Sequence, residues 1–527
     1  MFSHAKHLFA CVALLSSVSA PVWSAAIKEA PAPADDQTQM VIRADKGVNV
    51  IDPNVYGQFA EHLGHCIYGG IWVGKESPIP NTDGYRNDVM QALKSLQIPN
   101  LRWPGGCFAD EYHWMDGIGP TENRPKMVNT NWGGVVEDNS FGTHEFLNFC
   151  ELIGTQAYIS ANVGSGTVEE LAKWVEYVNA EGETPMSRLR TKNGREKPWN
   201  VTLWGIGNES WGCGGNMRPE YYADLFRRYG TYARNYGSNR LFKIACGASD
   251  YDYNWTEVMM KNAGSQMNAL SLHYYTVKGW SGSKGSATKF DLDEYYWTLG
   301  KCMEIDEVIK KHIEIMDKYD PRKRVALYVD EWGTWWDVEP GTNPGFLYQQ
   351  NTLRDAFVAA LTLNIFHQHA DRIRGANIAQ VVNVLQSMIL TKEEKMVLTP
   401  TYHVFQMFNV HQGATNLPVE VKTTTRSAGR YNIPTVSASA SKDKAGRIHV
   451  SLANIDHEKG VEVSALLEGT NATKVSGRIL TAPSVDTYNT FEAPNAVAPK
   501  AFTDATIKDG KLTVKVPSRS ILVLELQ

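Results

Sequence analysis

An excess of charge of either sign is missing from this 527-residue chain. Its 52 Lys and Arg against 57 Asp and Glu leave a net charge of −5, without the basic face or stripe that nucleic-acid binding requires. Missing too is any internal apolar run that approaches the about 20 residues needed to cross a bilayer. The longest candidate, Ala356 to Phe366, is interrupted by Thr362 and Asn364 and reads as a core helix. No C-x-x-C pair is present, which argues against a zinc ribbon or a thioredoxin-like site. No glycine-rich phosphate loop follows the first candidate strand, where Tyr56-Gly57-Gln58-Phe59-Ala60-Glu61 stands instead, so a dinucleotide-binding open sheet is disfavoured. Internal repeats and extended charge runs are also absent. A hydrophobic content of 43% excludes a disordered chain.

The N-terminus carries His4, Lys6 and His7, then an apolar run from Leu8 to Ala20, then the small residues Ser24-Ala25-Ala26. Basic start, short apolar centre and small-residue end predict a secretory signal peptide over residues 1–26. A flexible Ala/Pro stretch over 27–39 should follow, and the mature protein is expected to be secreted, to periplasm or medium, with no membrane anchor. Cys11 would leave with the leader. Cys66, Cys107, Cys150, Cys213, Cys246 and Cys302 remain, an even set that permits disulfides in an exported protein although no spacing dictates a pairing. In a chain this long most of them read as buried free thiols.

Between about Val55 and Val384 short apolar runs alternate with amphipathic stretches. Candidate strands are Val55–Phe59, Asn100–Trp103, Ala157–Ala161, Val201–Ile206, Phe242–Ala245, Ala269–His273, Val325–Val329 and Gly375–Val382. Several are apolar on both faces, as strands of a helix-covered parallel sheet must be. Candidate helices lie between them at Asn87–Gln97, Thr143–Ile153, Thr167–Val178, Pro219–Tyr236, Lys301–Lys318 and Gln350–His369. This β-then-α count predicts an α/β fold, a (β/α)₈ TIM barrel, over residues 55–398. After Thr399-Pro400 the period changes to two. Residues 399–527 then read as an all-β sandwich, jelly-roll-like, which an N-terminal strand within 40–54 would join.

Working residues of such a barrel sit at the C-terminal ends of its strands. Those ends carry Glu61, Arg102, Asn162, Asn208-Glu209, Asp250, His273-Tyr274-Tyr275, Asp330-Glu331-Trp332, Gln380 and Asn383. A single such residue is usually a cap or loop residue; so many in register point to a site. Glu209 ends the fourth strand and Glu331 the seventh, and two carboxylates across one barrel mouth are the minimal equipment for glycoside hydrolysis. One delivers a proton to the departing oxygen while the other stays ionised to attack the anomeric carbon. That chemistry needs no metal or other cofactor. Glu61-His62-x-x-His65-Cys66 is therefore read as structural, and His367-x-His369 as a poor ligand pair because i and i+2 on a helix face apart.

The stretches Tyr56 to Gly64, Leu101 to Gly106, Trp204 to Glu209, Asp330 to Trp332, His367 to Arg372, Ala379 to Val384 and Leu398 to Tyr402 occur in order along nearly the whole mature chain. On them the sequence resembles the α-L-arabinofuranosidases of glycoside hydrolase family 51. The resemblance implies a retaining, exo-acting enzyme that removes arabinose from arabinoxylan, arabinan or their oligosaccharides. It implies Glu209 as acid/base and Glu331 as nucleophile. Glu61, Asn162, Asn208, Tyr275 and Gln380 would hold the furanose hydroxyls and the nucleophile, with Arg102 supporting a carboxylate. His273, Trp211 and Trp332 would support the site; by their place after Glu331, Trp332, Trp335 and Trp336 are read as lining the sugar site, with at least one of them packing instead. Cys107 departs from the family, where Asn often stands at a sugar contact; it is either a weaker contact or half of a disulfide with Cys66 or Cys213. Relatives often assemble, so the resemblance also implies a homo-oligomer. Two other readings are a β-glucan- or xylan-active glycosidase on this scaffold and a non-catalytic carbohydrate-binding protein.

Overall fold

A computed structural model describes residues 37–527. The expected leader, 1–26, and residues 27–36 of the stretch expected after it lie outside the described residues. The description opens on β1 (Gln37–Arg43). Eight parallel strands then close a barrel: β2 (Gly57–Phe59), β3 (Asn100–Trp103), β4 (Gln156–Ala161), β5 (Leu203–Ile206), β6 (Phe242–Ser249), β7 (Ala269–Thr276), β8 (Ala326–Thr334) and β9 (Ile373–Ala379). They follow one another around the ring in chain order, and β9 pairs back onto β2. The lower interior is filled by Tyr158, Leu203, Ile244, Ala269, Ala326 and Tyr328. Only glycine fits at position 375 on β9, since a Cβ there would lie 2.1 Å from the Tyr328 ring.

The helices outside the ring are α1 (Asn87–Leu96), α2 (Thr143–Ile153), α3 (Val168–Asn179), α4 (Pro185–Lys192), α5 (Pro219–Tyr232), α6 (Tyr253–Ala263), α7 (Leu292–Met303), α8 (Ile305–Tyr319), α9 (Leu353–Gln368) and α10 (Pro400–Phe408). Differences from the sequence reading have local causes. Expected strand Val55–Phe59 is half a 3₁₀ turn, because the Asp52 carboxylate accepts from Asn54 N–H and Pro53 starts the turn. The expected helix Lys301–Lys318 is two helices, α7 and α8, meeting at Glu304, whose carboxylate is held by Arg430 and Tyr431. Helix α6 was unmarked by periodicity and is started by the Asp252 side chain, which accepts from Trp255 N–H. The barrel layer also continues through α10, which packs on α9 and α1, one helix beyond the expected boundary at 398.

Apart from four short two-stranded hairpins, the other strands are β10 (Thr415–Leu417), β11 (Val419–Lys422), β12 (Val436–Lys442), β13 (Ile448–Asn454), β14 (Val461–Glu468), β15 (Val475–Thr481), β16 (Lys500–Phe502), β17 (Ala505–Lys508), β18 (Lys511–Val516) and β19 (Ser520–Leu526). They form a sandwich of a five-stranded sheet, β11-β1-β14-β18-β17, and a six-stranded one, β10-β12-β13-β19-β15-β16. Strand β1 lies antiparallel to β11 and parallel to β14, so the first described strand is built into the C-terminal sandwich. Met40, Ile42, Val450, Leu452, Leu512 and Leu524 form part of the inner core, each on alternate positions of its strand as a one-sided sheet requires.

Helix α9 joins the two halves. It is buried on nearly every face, and the polar residues Thr362, Asn364 and His367 are tolerated there because each is matched. Thr362 Oγ1 meets Cys302 Sγ at 3.3 Å. Asn364 donates to Ser437 Oγ at 3.1 Å and accepts from Ser451 Oγ at 2.7 Å. His367 shares hydrogen bonds of 2.8 Å with Tyr56 and Ser439. Replacing Asn364 with Leu should strand two serine hydroxyls and destabilise the protein by about 1–3 kcal/mol, read as a lower urea midpoint with an unchanged denaturant slope.

Candidate active site

Two adjacent acids, Asp330 and Glu331, end in the same space, which a regular strand forbids because neighbours face opposite ways. The pairing of β8 shows how. Ser271 lies opposite Tyr328, but His273 lies opposite Glu331, and Val329 opposite Ala376 is followed by Trp332 opposite Ile378. One extra residue on β8 makes a bulge, a device that re-aims side chains beside sites. Both acids consequently reach Arg102 from β3. Its Nη1 donates to Glu331 Oε1 at 3.1 Å and to the Asp330 carbonyl at 2.8 Å, and its Nε lies 3.9 Å from Asp330 Oδ2. Nη2 donates to Asn208 Oδ1 at 2.6 Å. The guanidinium is buried, with Phe59 beneath it at 4.4 Å.

Glu209 stands just past β5, on a turn that requires Gly207 at φ +91° and holds Glu209 itself at φ +40°. For a residue with a side chain this is strained backbone, of the kind kept at functional sites. Its Oε1 accepts from His273 Nδ1 at 2.9 Å, and the same nitrogen lies 3.5 Å from Glu331 Oε2. One oxygen of each glutamate and this ring nitrogen all lie within 4.8 Å of one another. His273 Nε2 lies 3.1 Å from Asp330 Oδ1. Burial opposes charge on the ring, yet Glu331, Asp330 and Glu209 outweigh it and lift His273 to about 10, so it stands as an imidazolium at neutral pH.

Burial lifts Glu331 above the ordinary carboxyl range and Glu209 adds to that, while His273, Arg102 and the Tyr275 hydroxyl, 2.8 Å from Oε2, pull it back. Glu61 is raised to about 7, by burial first and Glu331 second. Its carboxylate accepts from Phe108 N–H at 3.1 Å, Trp132 Nε1 at 3.0 Å and Gln380 Nε2 at 3.0 Å. Gln380 Oε1 is buried without a partner.

These groups bound a cavity of about 260 Å³, reached by Glu61, Cys107, Glu209, Tyr275, Glu331 and Gln380. Trp211, whose Nε1 donates to the Gly247 carbonyl at 3.1 Å, is a further part of its wall. Arg102, Asn208 and His273 lie behind the carboxylates. Asn162 is not brought to the cavity: Oδ1 accepts from Ser165 and Gly166 N–H, and Nδ2 donates to the Tyr112 carbonyl and Ser165 Oγ, so its bonding capacity is spent inside its loop. Trp332 packs instead on Phe366 and Phe405 in the core, and Trp336 is buried; Trp335 reaches the cavity. Cys107 is bonded to Cys213, joining the loops after β3 and β5, with Sγ of Cys213 3.5 Å from Glu209 Oε2. Cys66, Cys150, Cys246 and Cys302 are free and buried. A larger groove of about 680 Å³ around Phe290, His457 and Arg519 contains none of these residues.

Sequence reasoning missed several groups. Trp132 and Trp280 lie in the cavity wall but on long loops, where no periodicity marks them. Asp110, raised by burial to about 7, accepts from Val163 and Gly164 N–H at 2.9 and 2.8 Å and so fastens the loop after β3 to that after β4. The 3₁₀ turn that carries it had no sequence signal.

A parallel barrel whose strand ends bring paired carboxylates into one aromatic-walled cavity is the arrangement of a glycoside hydrolase. Residues 92–292 match the family described as alpha-L-arabinofuranosidase 1 domain, and residues 330–520 the alpha-L-arabinofuranosidase C-terminal domain. An intracellular exo-alpha-L-arabinofuranosidase of Bacteroides ovatus is 63% identical over 496 residues, covering 94% of this chain and 96% of that protein. The crystal structure of the GH51 arabinofuranosidase from Xanthomonas axonopodis pv. citri superposes with a TM-score of 0.92 at 54% identity, over 94% of this chain and 100% of that one. An alpha-L-arabinofuranosidase from Thermotoga maritima, solved as an arabinose complex, gives 0.81 at 32%, over 93% and 99%. The chain belongs to the α-L-arabinofuranosidases of glycoside hydrolase family 51.

The expectation of export is corrected by the same comparison. The Bacteroides ovatus relative is named intracellular, which overturns the reading of a signal peptide over 1–26 and of a secreted protein. A basic start and a short apolar run form a pattern of composition alone, and residues 1–26 lie outside those described. Among the described residues no helix is long and apolar enough to cross a membrane.

His273 sets a pH dependence. Its folded value, about 10, stands above the ordinary 6.5, so its contribution to stability is complete below 6.5 and is lost as pH rises through 10. The Tm difference between wild type and His273→Gln should therefore shrink steadily over that window, as followed by calorimetry.

Proposed function

We propose that the protein is a retaining, exo-acting arabinofuranosidase that releases terminal α-L-arabinofuranosyl residues from arabinoxylan, arabinan or their oligosaccharides by double displacement. The observation that carries this reading is the approach of Glu209 and Glu331 to within 4.8 Å, oxygen to oxygen. Retaining pairs stand about 5 Å apart, whereas inverting pairs leave room for water between them at about 6.5–9.5 Å.

Glu331 is the nucleophile. Arg102 and Tyr275 hold its two oxygens, keeping one oxygen oriented at the anomeric carbon and the group charged as the bond forms. Glu209 gives its proton to the departing oxygen and then, as base, takes one from the water that releases the sugar. Between them the His273 imidazolium offsets whichever carboxylate is charged at each stage. Glu61 and Gln380 would read the furanose hydroxyls, since Gln380 Oε1 has no partner of its own. Asn208, whose Oδ1 accepts from Arg102 behind the carboxylates, would hold that guanidinium in place against Glu331 as charge shifts in the transition state.

Glu331→Ala should abolish turnover of nitrophenyl and natural arabinosides alike. Glu209→Ala should lose about a hundredfold or more on natural substrates but spare the first step on activated aryl arabinosides, whose leaving groups need little proton assistance. Proton NMR of the wild-type reaction should show arabinose appearing first with the anomeric configuration of the substrate. Inverted product, or either variant turning over an arabino-oligosaccharide at the wild-type rate, would sink this reading.

A further inference from the structure

Residues 277–291, between β7 and α7, form neither helix nor strand. Loops of this length inside a compact domain are uncommon and usually functional, and this one is tied down at three places. Near its start Lys278 Nζ meets Glu294 Oε1, from α7, at 2.8 Å. Gly285, at φ +90°, lies against that pair; a Cβ there would sit 2.4 Å from Glu294 Oε1. In the middle, Asp337 accepts from Lys284 N–H at 2.9 Å and from the Ser283 hydroxyl, and its own N–H donates to the Gly285 carbonyl at 2.9 Å.

The third tie is unusual. Arg354 on α9 is fully buried, sandwiched between the rings of Phe290 and Trp336 at 3.6 and 3.7 Å. Its Nη2 donates to the carbonyls of Ser286 and Ala287 at 3.1 and 3.2 Å, while Nε and Nη1 have no partner. A buried cation with two unmet donors is destabilising by itself. Every hydrogen bond the side chain does make goes to the loop backbone, so holding that loop is what the residue accomplishes.

The loop carries Trp280, which is 56% exposed and forms part of the cavity wall. Trp280 stands edge-on to Tyr275 at 6.1 Å and to Trp335 at 5.4 Å. Tyr275 binds the nucleophile, so the exposed Trp280 face lies toward the mouth, where a leaving group must extend.

We propose that Asp337 and Arg354 are positioning residues that strap loop 277–291 across the cavity mouth and fix Trp280 as a platform for the leaving-group sugar, so that the strap sets preference for arabinose linked to another sugar over arabinose on a small aglycone. The proposal rests on the hydrolytic reading above. Neither strap residue touches the sugar being transferred. A pre-fixed platform binds a sugar ring without the ordering cost a free loop would carry.

The test uses the full chain with two substrates, a linear arabinotriose and a nitrophenyl arabinofuranoside. Turnover of the aryl substrate by the wild type reports the hydrolytic reading separately. Asp337→Ala removes an exposed side chain and should fold normally; Arg354→Met tests the buried tie at similar volume. For Asp337→Ala the arabinotriose KM should rise about tenfold, equivalent to about 1.4 kcal/mol, with kcat on both substrates and the aryl KM within about twofold of wild type. Trp280→Ala should weaken arabinotriose binding to the same extent, and the double variant Asp337→Ala/Trp280→Ala no further, because both changes remove one platform. Equal losses on both substrates, additive losses in the double variant, or an unchanged arabinotriose KM in Asp337→Ala would each overturn the proposal.

Discussion

Four carboxyl groups, those of Glu61, Glu209, Asp330 and Glu331, crowd one end of the barrel, and two cations, Arg102 and His273, are placed among them. Like charges this close in a water-poor space repel strongly, so the arrangement persists only because each cation serves several anions at once. Arg102 spans Asp330, Glu331 and Asn208; His273 spans Glu209, Glu331 and Asp330. Much of the local backbone serves this balance. The β8 bulge turns two consecutive acids toward the same guanidinium, and the left-handed turn at Glu209 brings it onto the imidazole. Glu61, out of reach of either cation, is instead the group whose proton affinity rises to about 7.

Outside this charged ring, stiffness comes from links between strand-end loops. The Cys107–Cys213 disulfide joins the loops after β3 and β5 against Glu209, and Asp110 joins those after β3 and β4. The sandwich contributes none of the side chains of the carboxylate-lined cavity, which come from between Phe59 and Leu385. Its contribution is to cover α9 and part of α7. Serines on β12 and β13 meet Asn364 and His367, and α9 in turn supplies Arg354 to the loop at the cavity mouth. Stability of the sandwich interface and the shape of the mouth thus share one helix.

Much of this was legible in the chain. Asn100–Trp103 and Thr143–Ile153 have the bounds that their residue patterns indicate, because buried strands and amphipathic helices announce themselves through periodicity. Glu209 and Glu331 were legible as ionisable groups placed directly after apolar runs. The leader reading rested on composition alone, and the relative named intracellular overturns it. Asn162 was indistinguishable in sequence from a sugar-binding asparagine; only its four loop hydrogen bonds separate the two.

Composition and period by themselves determined the barrel and the sandwich and marked Glu209 and Glu331 as candidate acids, since each of these rests on the local pattern of neighbouring residues. The choice of Cys213 over Cys66 as the partner of Cys107, the β8 bulge, the burial of Trp332 against the exposure of Trp280, and the charge on His273 were decided by tertiary structure alone. Each depends on distances between segments tens of residues or more apart in the chain or on dielectric surroundings, and neither is encoded by local pattern; both arise when the closed barrel brings its strand ends into one confined space.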